Sequence, residues 1–244
     1  MGQSYFIWNG VDCRSRGVYM RGPAPIIRAE ERVTHVQIPG RSGDLTETEG
    51  ENIFNSYIQT VTIKVHGAYN VRKIYDWLRG SGYVTFSGEP DRKQAARVIG
   101  AITLDRLSRN LDIWTGEVQF YCQPLKEKMI SQKVTITGTA TVRNYGDVES
   151  FPVWRVTASG TTVVLQDGAT MEGYSRIQTM TLTGVTSGHV YRIDSEAMEV
   201  YDETVEEMVT GKSSGTFPTM RPGNNVVFGS GWSQVEIDRR ERYL

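Results

Sequence analysis

A chain of 244 residues has room for two domains of about 100–200 residues each. Its 27 basic and 28 acidic residues nearly cancel, leaving a net charge of −1 and no field that would draw nucleic acid or an anionic membrane. No apolar run approaches the roughly 18 residues of a membrane span, and Cys13 and Cys122 are too few for a disulfide framework. The opening residues lack a basic region followed by a long apolar one, so no signal peptide is expected, and the thiols read as reduced.

With 25 glycines, 8 prolines and 12 tyrosines, the composition favours strands joined by tight turns. Tyr5–Trp8 reads as a strand, Asn9-Gly10 as a turn and Gly22-Pro23-Ala24-Pro25 as irregular chain. Val33–Ile38 is a predicted strand. Pro39–Asp44 is a polar, glycine-punctuated hairpin loop bracketed by Ile38 and Leu45, and Glu47–Asn55 reads as loop. Tyr57–Val65 alternates cleanly, with Tyr57, Gln59, Val61, Ile63 and Val65 on one face. The one predicted helix has Asn70 as N-cap, an apolar stripe of Val71, Ile74, Tyr75 and Leu78, and a stop at Gly80 and Gly82. Strands follow at Tyr83–Phe86, Ala95–Leu104 and Ile113–Cys122, with turns at Gly88–Asp91 and Ser108-Arg109-Asn110. Pro124 should end the last ladder. The charged segment around Lys126-Glu127-Lys128 then reads as an exposed connection, dividing residues 1–128 from 129–244.

The second half reads as all-β. Short apolar runs recur between turn residues at Val134–Ile136, Pro152–Val156, Thr162–Leu165, Met180–Leu182, Val190–Ile193, Met198–Tyr201, Val226–Phe228 and Val235–Ile237, a β-sandwich pattern. Asp194-Ser195-Glu196 centres a hairpin. Pro222-Gly223-Asn224 reads as a structural turn, with φ > 0 expected at Gly223.

Four segments together resemble one family. They are Phe6-Ile7-Trp8-Asn9-Gly10-Val11-Asp12, then Ile38-Pro39-Gly40-Arg41-Ser42-Gly43-Asp44-Leu45, then the Ile193-Asp194-Ser195 to Val200-Tyr201 hairpin, and finally Gly215-x-Phe217-Pro218-x-x-x-Pro222-Gly223-x-Asn225 before an apolar strand. In this order and over this length they resemble the distal tail (Dit) proteins of long-tailed, siphovirus-type bacteriophages and prophages. The resemblance implies a mostly β fold of two domains: an N-terminal β-sandwich with one helix and an extended hairpin, and a C-terminal galectin-like β-sandwich. It also implies a structural role without chemistry or cofactor. The N-terminal domain would form a homo-hexameric ring, assembled in the bacterial cytoplasm and placed at the virion tail tip. The implied partners are other copies, the tail tube protein, the end of the tape-measure protein and a tail-tip hub or tail-associated lysin. The hairpin residues Ile38–Leu45 are the expected ring contact.

Other chemistries find little support. Gly211-Lys212-Ser213-Ser214-Gly215 has the spacing of a hydrolase elbow, but no helix can follow through Pro218 and Pro222, and no histidine comes after Ser213. His35, His66 and His189 are scattered, without metal-ligand spacing. The rival class is a carbohydrate-binding module for a bacterial surface glycan, with Trp232 in its glycine-rich surroundings as the exposed stacking residue. Trp154 reads as core.

Overall fold

The computed structural model describes residues 4–48, 50, 52–108, 111–171 and 174–244. The chain divides into two compact units, Met1–Met129 with Leu244, and Ile130–Tyr243. Among the described residues no helix is long and apolar enough to cross a membrane.

The first unit contains Phe6–Trp8 (β1), Val11–Asp12 (β2), Val18–Met20 (β3), Val33–Gln37 (β4), Asp44–Thr48 (β5), Tyr57–His66 (β6), Ser81–Phe86 (β7), Arg92–Ile99 (β8), Leu104–Ser108 (β9) and Leu111–Lys128 (β10). One helix, Ala68–Trp77 (α1), follows β6. The strands run in the order β2-β1-β7-β8-β10-β6-β3, with β9 also alongside β10. This sheet curls on itself. Two strands separate β1 from β10 along the hydrogen-bonded order, yet the rings of Phe6 and Trp8 each lie 5.5 Å from Phe120. Trp77 of the helix stacks on Phe6 at 5.7 Å, closing the open side. Each such aromatic pair contributes about 0.5–1.5 kcal/mol beyond the area it buries. The layers of this sandwich are therefore two ends of one sheet and the helix that covers them.

Alternation decides what each strand gives to this core. Val61, Ile63 and Val65 of β6 and Val118, Phe120 and Cys122 of β10 point inward, as the period-two pattern requires. Gly116 lies on the same face for a separate reason: a Cβ there would come within 2.0 Å of the Thr103 carbonyl oxygen. The predicted strand Ala95–Leu104 is instead two, β8 and β9, because the chain leaves the sheet over residues 100–103. The helix begins at Ala68, so Asn70 is inside it rather than at its cap, and it ends at Trp77 with Leu78 as its C-cap, before the two glycines. Ile74 and Leu78 are buried while Tyr75, in the same sequence stripe, stays exposed. Of the turn expected at Ser108-Arg109-Asn110, the last two residues lie outside the described residues.

Two further expectations fail at the end of β10. Pro124 does not end the strand. The ladder with β8 slips between Cys122 and Lys126 and then resumes to Lys128↔Arg92, and such a bulge tolerates a residue with no N–H to donate. The segment Lys126-Glu127-Lys128 is thus paired strand and not an exposed connection, and the units part after Met129.

The second unit contains Lys133–Ile136 (β11), Ala140–Asn144 (β12), Val153–Ala158 (β13), Thr162–Met171 (β14), Tyr174–Thr183 (β15), Val190–Asp194 (β16), Glu199–Asp202 (β17), Glu207–Met208 (β18), Ser213–Gly215 (β19), Gly223–Ser230 (β20) and Trp232–Asp238 (β21). They form two antiparallel sheets, β11-β21-β13-β16-β17-β18 and β12-β20-β14-β15-β19. Trp154, Val156, Ile193, Val235 and Ile237 of the first face Val163, Leu165, Met180, Leu182 and Val227 of the second across one apolar core. Trp154 is fully buried. Ser213 lies exposed on the edge strand β19, paired with Leu182, rather than in a loop.

One core-facing position is charged. Asp167 shares the inward face of β14 with Val163, Leu165 and Ala169 and is 1% exposed. Neither carboxylate oxygen has a hydrogen-bond partner among the described residues. Burial pushes its pKa up to about 7, against the attraction of Arg176 and with the help of the negative Glu149. The folded state thus prefers the protonated acid. The stabilisation that follows is complete below the unfolded value near 4 and is lost as pH rises through about 7. Asp167→Asn should melt above wild type at pH 8, with the gap closing by pH 4. Thermal unfolding of both proteins across that range checks this, and a gap independent of pH would refute it.

Candidate functional site

The hairpin expected around Pro39 stands apart from the rest of the first unit. Strands β4 and β5 pair only with each other, in the register Val33↔Thr48 to Gln37↔Asp44. Asp44 and Leu45 are therefore strand residues, and the loop is Ile38–Gly43. Glu47, read as loop, is also in β5, where Asp-Leu-Thr-Glu-Thr alternates with β-branched residues, a signal that its acidity masked. Within 38–45, Ile38 through Asp44 are exposed, and Leu45 is half-buried.

The register gives this arm two unlike faces. Thr34 and Val36 lie opposite Glu47 and Leu45, and Ile38 follows on the same side. The other face carries Val33, His35 and Gln37 opposite Thr48, Thr46 and Asp44, with His35 Nδ1 3.2 Å from Thr46 Oγ1. Val36 and Ile38 are each 39% exposed. A lone two-stranded hairpin is at best marginally stable in water, so an apolar face on one is a face that gains by being covered.

The root of the arm is tied down. Arg32 N donates to Ile53 O at 2.9 Å, Asn55 N to Glu30 O at 2.8 Å, and Arg32 Nε to Asn55 Oδ1 at 3.1 Å. The chain that leads into the root touches Lys126, which is 5% exposed. Its ammonium is 2.7 Å from Glu89 Oε2 and 3.4 Å from Ile27 O, and Glu89 also pairs with Arg92 at 2.9 Å. A buried ammonium needs such partners. Beside it Tyr57 bonds Gln94 at 2.9 Å, and burial raises the phenol to about 12, so it stays a neutral donor and acceptor. Lys126 was missed because a lysine after Pro124 reads as surface. The available signal was that it continues the alternation of Phe120 and Cys122 past the bulge.

The remaining sequence-predicted positions lie in the second unit. Asp194 closes the β16–β17 hairpin, its Oδ1 accepting from Glu196 N at 3.1 Å and Ala197 N at 3.2 Å. The next residue, Ser195, is buried; its Oγ donates to Pro218 O at 2.7 Å and accepts from Trp154 Nε1 at 3.1 Å. Pro222-Gly223-Asn224 is not a free-standing turn before a strand at Val226, since β20 already begins at Gly223, opposite Asn144. Gly223 has φ of +93° with open space around it, so the backbone angle, and not crowding, is what requires glycine. The bend is held by Asn225, fully buried, whose Nδ2 donates to Arg221 O at 2.8 Å and Gly223 O at 3.1 Å. Trp232 is half-buried rather than exposed. It packs on the core, and its Nε1 donates to Val164 O at 3.2 Å. Among the described residues no His, Cys, Asp and Glu cluster has a metal-binding arrangement.

No family model matches the chain, and no curated protein matches it. A solved structure does, over 100% of both chains: the SPP1 Dit protein (gp 19.1), described as a paradigm of hub adsorption apparatus in phages that infect Gram-positive bacteria. The fold is that of a distal tail protein. The TM-score is 0.79 at 16% sequence identity, so the likeness is one of backbone architecture. The Dit likeness spans both units, the mostly β character and the β-sandwich construction.

Lys126→Met keeps the aliphatic stem but removes the ammonium from Glu89 and Ile27. It should cost about 1–3 kcal/mol, below the full cost of breaking a buried pair because Glu89 retains Arg92. It should also speed amide exchange over residues 24–32. Denaturant unfolding and hydrogen exchange measure the two effects, and unchanged exchange at the root would show that Lys126 does not hold the arm.

Proposed function

We propose that this chain is a structural component of a long phage tail, a distal tail protein that forms a homo-hexameric ring linking the tail tube to the tail-tip or host-adsorption apparatus. The observation that carries this reading is the full-length likeness to a distal tail protein, to which the exposed, two-faced arm on the first unit adds a means of assembly. A head-to-tail contact between two different patches closes into a ring when its rotation allows, and an arm reaching a neighbour supplies one of those patches.

The first unit, ending near residue 128, serves as the ring-forming domain and the second as the galectin-like module. The partners are further copies, the tail tube protein, the end of the tape-measure protein and a tail-tip hub or tail-associated lysin. The chain is made and assembled in the host cytoplasm and resides at the virion tail tip. Catalysis has no part in this role. The glycan-binding alternative loses its main support at Trp232, whose indole N–H is already bonded to Val164 and whose ring packs on the core.

Replacing arm residues 33–48 by a short Gly-Ser linker should leave both units folded by circular dichroism and deplete the ring population in sedimentation velocity and negative-stain images. Rings that survive at the same protein concentration would place the interface elsewhere. Wild-type protein that stays monomeric with its tail partners present would overturn the ring itself.

A further inference from the structure

The β3 edge of the curled sheet carries a cavity of about 460 Å³, with Ser4, Tyr19, Arg21, Lys64 and His66 in its lining. Strand register brings these side chains together. Val18 and Met20 of β3 and Ile63 and Val65 of β6 are buried in the core. Tyr19, Arg21, Lys64 and His66 therefore turn to the outer face. Tyr19 stands directly opposite Lys64, and its ring meets His66 edge-on at 5.1 Å. Arg21 N donates to Thr62 O at 2.9 Å, which carries the pairing one residue past β3 and fixes the base of the arginine. Arg21 and Lys64 are then diagonal neighbours, about 7–8 Å apart at the backbone and within reach of long side chains.

The charge here is of one sign. Neither Arg21 nor Lys64 forms an ion pair among the described residues. No Asp or Glu among the described residues lines the cavity. The acids on this sheet face, Asp105 and Glu117, line a different cavity. Two cations placed side by side without a counter-charge repel each other, and a cleft with walls of one sign concentrates its field on an ion of the other. The hydroxyls of Ser4 and Tyr19 likewise have no hydrogen-bond partner among the described residues.

We propose that this cavity binds a dianionic phosphate group, free or carried on a small organic ester, through Arg21 and Lys64, with Ser4 and Tyr19 as hydroxyl donors. A carboxylate would be satisfied by the arginine fork alone. A phosphate has the further charge and oxygens that a lysine and two hydroxyls would meet. The volume lies in the range of small-molecule sites, which leaves room for the organic part of an ester. The proposal is independent of the ring reading, since every residue it uses belongs to one copy.

Calorimetric titration of the full chain tests it. Glycerol phosphate should bind at a saturable site, and inorganic phosphate should compete for that site. Arg21→Gln and Lys64→Gln should each weaken binding by about tenfold, the loss of one charge-assisted hydrogen bond. Circular dichroism and melting should stay as in wild type, because neither side chain has an ion-pair partner in the fold. Arg28→Gln removes the same charge from an exposed position outside the cavity and should leave the affinity unchanged. Tighter binding of the ester would show that its organic part occupies the cavity, and equal affinity would assign the site to the phosphate group alone; both uphold the proposal. No saturable binding of either compound, or wild-type affinity in the folded double variant Arg21→Gln/Lys64→Gln, would overturn it.

Discussion

A buried backbone polar group must find a partner or cost stability, and in the second unit that requirement falls on one crossing. Phe217–Pro222 links β19 to β20 of the same sheet without a ladder of its own; its one bridge joins Met220 to Ser150, each N–H donating to the other's carbonyl. Side chains supply the rest. Ser195 Oγ serves Pro218 O, Gln178 Oε1 accepts from Thr219 N at 2.8 Å, Asn144 Nδ2 reaches Met220 O at 3.0 Å, and Asn225 holds both polar groups of Arg221. Ser195 also receives the indole N–H of Trp154, the largest side chain of this core. Losing Ser195 would leave a carbonyl and an indole to share a 3.4 Å contact. The hairpin, the crossing and the core tryptophan are therefore one unit.

The Asp194-Ser195 and Phe217-Pro218 segments, far apart in sequence, meet at one hydrogen bond, so a change at one is felt at the other. A fold alike at 16% identity is intelligible, because apolar core positions exchange among similar volumes.

The sequence showed most clearly what depends on period. Tyr57–Val65 and Ile113–Cys122 alternate without ambiguity, and both lie at the centre of the first sheet. It was silent where tertiary partners override local character. Lys126 looks like surface until Glu89 and Ile27 surround it. Asp167 sits in an apolar alternation that a carboxylate should interrupt. Pro124 looks like a stop because a bulge is invisible one residue at a time, and Asn70 looks like a cap although the chain has already entered the helix at Ala68. For the arm, the polar tip at Pro39–Gly43 was legible, but the length of its second strand was not, because acidic residues in a lone hairpin have no core to betray their alternation. The bend before β20 reads from the sequence as Pro222-Gly223-Asn224, while Asn225 does the holding.

The arm has a consequence for the chain on its own. Both of its strands are edges, and an open edge is a template for indiscriminate pairing with other chains. Here the exposed positions include His35, Asp44 and Glu47, and the loop carries Arg41 and Pro39. Charges and a proline along an open edge discourage pairing that would continue without limit. A chain present at high concentration would otherwise risk fibres from this hairpin, and these residues act as its gatekeepers.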